Sequence, residues 1–182
     1  MSWNGYENNV LLRNQGCGED GTPRFVDVAM ALGADEIGDA RGVATADFDN
    51  DGDLDLVINH NPGDLERPNG IAPALLRNDI GQDASWLAVE LEGKTGNRDA
   101  VGALVSARTG AARQTRLASA GSGYASQHSA RLYFGLGEAE VVDELTVRWP
   151  GGGEERLQGL PARRLVRIVE GVGVEILELP AP

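Results

Sequence analysis

The sequence predicts an all-β protein, with a β-sandwich or a β-barrel in its second half. Glycine accounts for 25 of the 182 residues, about twice the usual share, which indicates many tight turns between short strands. Several segments alternate apolar and polar residues with the two-residue period of a strand. They recur at roughly ten-residue spacing with turn residues between them, which is typical of a sandwich or a barrel.

The strands of the second half give the clearest pattern. Two segments, SWLAVELEG and ELTVRW, alternate between unlike faces. Their apolar faces are Leu87, Val89 and Leu91 in the first segment, and Leu145, Val147 and Trp149 in the second. RRLVRIVE and VGVEILEL complete the set of short strands. Because this pattern begins after residue 83, we expect two domains, residues 1–82 and 83–182.

One helix is predicted in the first half of the chain. The segment FVDVAMALGA begins at Phe25 and contains Gly33 near its end. Glycine readily adopts the left-handed conformation that ends many helices, so we expect the helix to stop at Gly33.

The charge balance excludes some partners and favours others. Acidic residues outnumber Lys and Arg 28 to 16, and the formal net charge is −12. Nucleic acids and anionic membranes require clustered basic residues, so a cation is the better expectation. The single cysteine excludes an intrachain disulfide and a cysteine-based zinc site. No segment approaches the ~20 apolar residues of a membrane span. The start, MSWNGYENNVLL, shows no signal-peptide pattern, so we expect either a cytoplasmic protein or the mature part of an exported chain.

The strongest chemical signal is the segment ATADFDNDGDLDLVIN, which places an aspartate at every second position. Calcium takes six to eight oxygen ligands, and a turning loop supplies them from side chains at its positions 1, 3, 5 and 9 and from a carbonyl at position 7. We therefore predict a calcium site formed by the side chains of Asp47, Asp49, Asp51 and Asp55 and the main-chain carbonyl of Asp53.

The same segment is not an EF-hand. Gly52 stands at the sixth position, where such loops turn sharply. The twelfth position is Ile58 instead of a bidentate glutamate, and it falls in the predicted strand LDLVIN, so the loop joins two strands. Two alternatives stay open: a solvated acidic turn that binds no ion, and a magnesium site, although magnesium suits an all-protein cage poorly.

The loop also carries a family resemblance. VATADFDNDGDLDLVIN resembles the FG-GAP or VCBS-type calcium repeat of integrin-like β-propellers. The resemblance implies that the loop joins two strands of a propeller blade and that its aspartates hold a calcium ion. It therefore predicts a short, propeller-blade-like segment in the first half of the chain.

The second half resembles a different family. NRDAVGALVSARTG, ASAGSGYASQHSARLYFGLGEAEVVDELTVRWPGG and RLVRIVE are together similar to the ASPIC/UnbV domain over most of residues 85–170. That domain follows calcium repeats in the cartilage acidic protein family and in UnbV proteins of enediyne gene clusters. The resemblance implies an antiparallel β-sandwich in an acidic, calcium-binding and usually exported protein.

The chain departs from this pattern because it has only one good acidic loop. One or two blades cannot close a ring, so they leave open sheet edges. We expect these edges to pack against the sandwich, or to be covered by a partner or a second copy of the chain. Alternatively, the sequence is a piece of a larger protein.

Two functional hypotheses follow. The first is a calcium-binding, non-catalytic module of the ASPIC/UnbV type that presents its loops to a protein, glycan or small-molecule ligand. The second is an enzyme or metabolite-sequestering protein of a bacterial secondary-metabolite pathway, for which the first residues to test besides the loop are Tyr124, His128 and Arg131. The catalytic inventory is thin, because His60 and His128 are the only histidines and nothing in the sequence pairs them. We interpret both as loop or surface residues.

Four arginines complete the candidates. They either line a cleft for an anionic ligand or, as we prefer, pair with carboxylates on strand faces. They are Arg98, Arg113, Arg116 and Arg131.

Overall fold

A computed structural model describes residues 7–61, 72–80 and 83–177. The chain divides into two compact units. The first comprises Met1–Val43 and Val57–Leu76, and the second comprises Ala44–Leu56 and Arg77–Pro182. Within the described residues, no helix is both long and apolar enough to cross a membrane.

The described part of the chain is built almost entirely of short strands. The only helix there, α1, is Ala29–Leu32. The strands are β1 (Glu7–Asn8), β2 (Leu12–Cys17), β3 (Pro23–Asp27), β4 (Ile37–Gly38), β5 (Ala40–Ala46), β6 (Asp55–His60), β7 (Ala74–Leu76), β8 (Ser85–Glu92), β9 (Leu104–Thr109), β10 (Ala112–Leu117), β11 (Leu132–Gly137), β12 (Val141–Arg148), β13 (Glu154–Pro161), β14 (Arg164–Val169) and β15 (Gly173–Leu177). The predicted all-β fold class is confirmed.

The second unit contains two four-stranded sheets. One has the strand order β10-β9-β12-β13 and the other β11-β8-β14-β15. Side chains from both sheets meet in one core, whose fully buried members include Phe134, Leu87, Ile168, Leu145 and Val105. This is a sandwich, because neither sheet closes into a barrel. The strand pairs are antiparallel except for β8 and β14, which run parallel.

The predicted buried face of β12 is confirmed. Leu145, Val147 and Trp149 are all buried in the core between the sheets. The strand lies in the middle of its sheet, since it pairs with β9 on one side and with β13 on the other.

Strand β8 differs from the prediction of two unlike faces. Leu87 and Val89 are fully buried in the sandwich core, as predicted. On the opposite face, however, Trp86 and Ala88 are buried as well, in a second cluster with Leu165. Five consecutive residues from the start of β8 are therefore buried, which means that other parts of the chain cover the outer face of this sheet.

The first unit contains two-stranded pairs, β1 with β4 and β2 with β3. The predicted helix starts later than expected, because Phe25 lies in β3, where it pairs with Asn14 of β2. Its predicted end is confirmed: Gly33 follows α1 in the left-handed conformation, with φ 68°. Strands β5, β6 and β7 form a three-stranded sheet in that order.

The domain boundary between residues 1–82 and 83–182 stays a prediction. Contacts group the acidic segment Ala44–Leu56 with the sandwich. The contact-based division groups segments by proximity, whereas the predicted boundary divides the chain at one point. The contact-based division therefore neither confirms nor contradicts the predicted boundary.

Candidate metal centre

The acidic loop connects β5 to β6. Asp47 directly follows β5 and Asp55 is the first residue of β6. The loop turns through two left-handed residues, Asn50 at φ 60° and Gly52 at φ 99°. Asparagine and glycine tolerate this conformation better than other residues, so the sequence NDG sets the local turn.

Gly52 lies against the indole ring of Trp86. A Cβ atom at position 52 would come within 1.8 Å of Nε1 of Trp86, a distance no side chain could occupy. The glycine is therefore needed twice, for its positive φ and for the close approach of the indole. Trp86 is on the outer face of β8, so this contact explains part of the burial of that face.

Asp47 accepts hydrogen bonds from across the loop and from the sandwich. Its Oδ1 accepts from the N–H of Asp51 at 3.1 Å, and its Oδ2 accepts from the N–H of Gly52 at 3.1 Å and from the hydroxyl of Tyr133 at 3.2 Å. Burial raises the pKa of Asp47 above the ordinary value for aspartate, although the bonds from Gly52 and Tyr133 act in the opposite direction. Burial also raises the pKa of Tyr133 to about 12, so its hydroxyl keeps the proton that it donates.

Asp55 closes the loop from the other side. Only 1% of it is exposed. Its Oδ2 accepts from the N–H of Phe48 at 2.8 Å, and its Oδ1 accepts from the N–H of Asn78 at 2.8 Å. The carboxylate thus holds the start of the loop beside the start of β6, and it ties both to the segment after β7.

Three of the five predicted aspartates come together. One carboxylate oxygen from each of Asp47, Asp49 and Asp55 lies within 4.8 Å of the other two. Oδ1 of Asp49 is buried and has no hydrogen-bond partner among the described residues. An unpaired buried carboxylate oxygen is costly, so this atom fits a cation ligand.

The other two aspartates, Asp51 and Asp53, lie between Asp49 and Asp55 in the loop. Oδ1 of Asp51 accepts a hydrogen bond from the N–H of Asp53 at 3.1 Å. Neither carboxylate joins the cluster of Asp47, Asp49 and Asp55. The predicted roles of the Asp51 side chain and the Asp53 carbonyl therefore stay predictions.

Backbone and side-chain bonds attach the loop to the segment before β11. The N–H of Thr45 donates to Nδ1 of His128 at 3.1 Å, and the N–H of Ser129 donates to the carbonyl of Thr45 at 2.8 Å. Arg131 donates from its NH1 group to Oδ1 of Asn50 at 3.2 Å. The loop is thus fixed to the rest of the second unit at several points.

The sequence alone does not identify two aromatic residues as supports of the acidic loop. Trp86 and Tyr133 support the loop from strands that follow it in the chain. Their positions outside the apolar face of an alternating strand were a signal, since an aromatic residue there needs cover from elsewhere in the fold.

The remaining candidate residues are dispersed. His60 lies in the first unit, and its interpretation as a loop or surface residue is wrong: it is only 3% exposed, with Nδ1 3.2 Å from the carbonyl of Ala72 and Nε2 3.8 Å from Oε2 of Glu36. His128 and Tyr124 are exposed, in the second unit.

The arginines divide between ion pairs and other contacts. Arg131 pairs with Glu90 at 2.9 Å, as the ion-pair interpretation predicts. Arg116 instead lies over the ring of Phe134, 5.4 Å from its centroid.

The fold and the loop define a class of protein: an all-β protein with an acidic loop of metal-site composition packed on a β-sandwich. Comparisons with known families specify it further. The FG-GAP-like repeat family matches residues 1–58, and the ASPIC and UnbV family matches residues 93–175. Two segments of the chain thus match these two family models, and the resemblance inferred from the sequence is confirmed.

The chain is also similar to curated proteins. The chain is 33% identical over 117 residues to cartilage acidic protein 1 of Xenopus tropicalis, a match that covers 63% of this chain and 17% of that protein. It is 29% identical over 136 residues to cartilage acidic protein 1 of Homo sapiens, covering 74% of this chain and 19% of the relative. The chain thus spans about a fifth of the length of the curated relatives that it matches.

Proposed function

We propose that the chain is a calcium-stabilised, non-catalytic binding module. The ion is held by the side chains of Asp47, Asp49, Asp51 and Asp55 and by the carbonyl of Asp53. The observation that carries this proposal is the buried Oδ1 of Asp49, which has no hydrogen-bond partner among the described residues and lies in a cluster of three carboxylates.

Electrostatics supports a cation at this position. Carboxylate oxygens within 4.8 Å of one another repel by on the order of 3 kcal/mol per pair of full charges at an effective dielectric constant of about 20. Nearby hydrogen-bond donors offset part of this repulsion at Asp47 and Asp55. A divalent ion would neutralise the rest.

The donor set favours calcium over other metals. All the proposed ligands are oxygens, which suits a hard cation and does not suit zinc or copper. Calcium accepts a variable number of such ligands in flexible geometry, whereas magnesium prefers an octahedral shell with several waters. Calcium supplies no redox chemistry here; it crosslinks the loop, while Tyr133 and Trp86 orient the loop from the sandwich.

The loops of the stabilised second unit would then bind a protein, glycan or small-molecule partner. An extracytoplasmic location, where free calcium is abundant, agrees with the resemblance to the exported calcium-repeat families. A partner or a second copy of the chain would cover the open strand edges of the first unit. No residue constellation described above assembles a nucleophile, a base and an orienting group, which favours binding over catalysis.

Thermal unfolding in calcium and in EGTA tests the proposal. At a free calcium concentration of about 100 times Kd, binding adds about 2.7 kcal/mol to the free energy of unfolding, or roughly 5–10 °C in Tm for a domain of this size. Magnesium at the same concentration is expected to raise Tm less.

Asp49→Asn should abolish the calcium-dependent rise. In EGTA, the same variant should be as stable as the wild type or more stable, because it removes one of three repelling charges. Asp99→Asn, which removes an exposed charge outside the loop, serves as the matched control and should keep the full rise. An identical Tm of the wild-type protein in calcium and in EGTA would contradict the proposal.

A further inference from the structure

The second unit contains a cavity of about 360 Å³ beside the acidic loop. We call it the Arg116 cavity, after a residue on its wall, and its other principal residues are Ser122, His128 and Tyr133, with Thr45 and Leu54 from the acidic segment. Its volume lies in the range of small-molecule sites.

The wall of the Arg116 cavity lacks acidic residues. The protein has 28 aspartates and glutamates and a net charge of −12, yet none of them is among the described residues that line this cavity. A neighbouring cavity of about 440 Å³ has three carboxylates on its wall beside three arginines; they are Glu90, Glu92 and Asp99, with Arg98, Arg131 and Arg167. The described residues on the wall of the Arg116 cavity therefore present no carboxylate to a bound anion.

Hydrogen-bond donors gather at the same wall. Nδ1 of His128 accepts the N–H of Thr45 at 3.1 Å, so the proton of the neutral ring is on Nε2, which becomes a donor. Oγ of Ser122 is buried without a hydrogen-bond partner among the described residues. That oxygen has almost no accessible surface, so a ligand in the cavity does not reach it.

Arg116 is held in place with donors to spare. Its NH1 group donates to the carbonyl of Thr115 at 3.2 Å and its NH2 group to Oε1 of Gln114 at 3.2 Å. The guanidinium also rests over the ring of Phe134. A guanidinium has five N–H donors, and these two bonds leave others for a ligand.

The rest of the wall is apolar. Leu54, Leu117 and Leu132 line the cavity together with the ring of Tyr133. Leu117 is 55% exposed and Leu54 37% exposed, so their side chains are accessible to a ligand. The cavity thus combines one cationic, donor-rich side with one apolar side.

We infer that the Arg116 cavity binds a small organic anion, with its oxyanion at Arg116 and His128 and its apolar body against the leucines. The inference rests on the proposed function in one respect: Thr45 and Leu54 belong to the acidic segment, so an ion that orders this segment completes one wall and strengthens anion binding.

NMR titration of the full chain tests this inference with two probes of equal shape, naphthalene-2-carboxylate and its neutral amide. The carboxylate should bind in calcium with a Kd of about 1 mM, at least about tenfold tighter than the amide. The amide signals of Thr45 and of residues 122–132 should shift.

Variants locate the site. Arg116→Gln should weaken carboxylate binding at least about tenfold, because a charge-assisted hydrogen bond is lost. Arg113→Gln removes the same charge from the same strand, at a residue that does not line the cavity, and should leave Kd unchanged. Equal binding of the carboxylate and the amide, or equal losses in the two arginine variants, would overturn the inference.

Measurements with and without calcium distinguish a failure of this inference from a failure of the proposed function. EGTA should weaken carboxylate binding severalfold, and calorimetry on the same samples reports calcium binding independently. If calcium binds and the carboxylate does not, the inference is wrong and the proposed function stands. If the carboxylate binds equally with and without calcium, and calorimetry detects no calcium binding, the cavity stands while the calcium-stabilised function and its coupling to the cavity fail.

Discussion

The two units of the chain use apolar residues in opposite ways. In the second unit, large side chains such as Phe134, Leu87 and Leu145 are fully buried between two four-stranded sheets. In the described part of the first unit, Phe25 is 56% exposed and Met30 84% exposed.

The difference in the exposure of apolar side chains arises from how many layers of secondary structure pack together in each unit. A strand buries an apolar face only when another layer covers it, and a two-stranded ribbon alone is marginally stable in water. The second unit supplies that layer from its own strands. The exposed apolar residues described in the first unit lack such a covering layer.

One aromatic residue in each unit can be truncated to measure how much its burial stabilises the fold. Phe134→Ala should lower the free energy of unfolding by about 3–5 kcal/mol, because it leaves a cavity in a closed core. Phe25→Ala should cost less than about 1 kcal/mol, because the side chain is already more than half exposed. Urea unfolding of the two variants and the wild type measures both values.

Equal costs would break the comparison. They would mean that Phe25 is covered in solution, for instance by a second copy of the chain. Repeating the measurement over a range of protein concentrations identifies that case, since stability gained by association depends on concentration.

The next effect concerns the contact between the acidic loop and the sandwich. Gly52→Ala should lower the free energy of unfolding of the second unit by about 3 kcal/mol. It combines a strained positive φ with a clash against Trp86.

Gly152→Ala is the matched control. Position 152 has the same φ of 99° but nothing within 4 Å of a Cβ, so it reports backbone strain alone, about 1 kcal/mol. If the two alanine variants have the same stability in urea, the indole of Trp86 does not contact position 52 in solution.

The smallest expected effect concerns two carboxylates that accept hydrogen bonds from backbone N–H groups. One accepts from residues far away in the chain, and the other accepts from a residue close to it in the chain. Glu170 accepts hydrogen bonds from the N–H groups of Lys94, at 2.7 Å, and Thr95, at 2.9 Å. Asp20 accepts one from Thr22, only two residues away, at 3.0 Å. Bonds from Thr95 lower the pKa of Glu170 below its ordinary value of 4.5, and those from Thr22 lower that of Asp20 below 3.8.

Each charge therefore stabilises the fold above the ordinary pKa of its group, and that contribution is lost as pH falls through the lowered value. Glu170→Gln should reduce the pH dependence of stability below pH 4.5, more than Asp20→Asn does below pH 3.8. Urea midpoints at several acidic pH values measure this. A flat difference between wild type and Glu170→Gln across that range would show that the tether to Thr95 does not form.

Much of this fold follows from local patterns in the sequence. The alternation in ELTVRW predicts which side of β12 is buried, and Gly33 predicts where α1 ends. Such features depend on residues a few positions apart, so periodicity and turn chemistry are sufficient to find them. The resemblance of the acidic loop to a known repeat is local in the same sense.

Other features depend on contacts between distant segments. The position of Trp86 in SWLAVELEG signals that the residue needs cover, but nothing within that segment identifies the loop around Gly52 as the cover. The prediction of a helix that begins at Phe25 is wrong, because the pairing of β3 with β2 overrides the local helical pattern. The hydrogen bond from Tyr133 to Asp47 likewise joins two segments that are unrelated in sequence.

We expect the acidic loop, whose Gly52 lies against the indole of Trp86, to hold a calcium ion. Terbium luminescence tests it most directly, because Tb³⁺ occupies calcium sites and emits when a nearby indole is excited. If the loop holds calcium, sensitised emission should appear that excess calcium reverses, that Asp49→Asn abolishes, and that Trp86→Phe reduces while calorimetry still detects calcium binding. Emission that is absent in the wild type, or unchanged in Asp49→Asn, would contradict it.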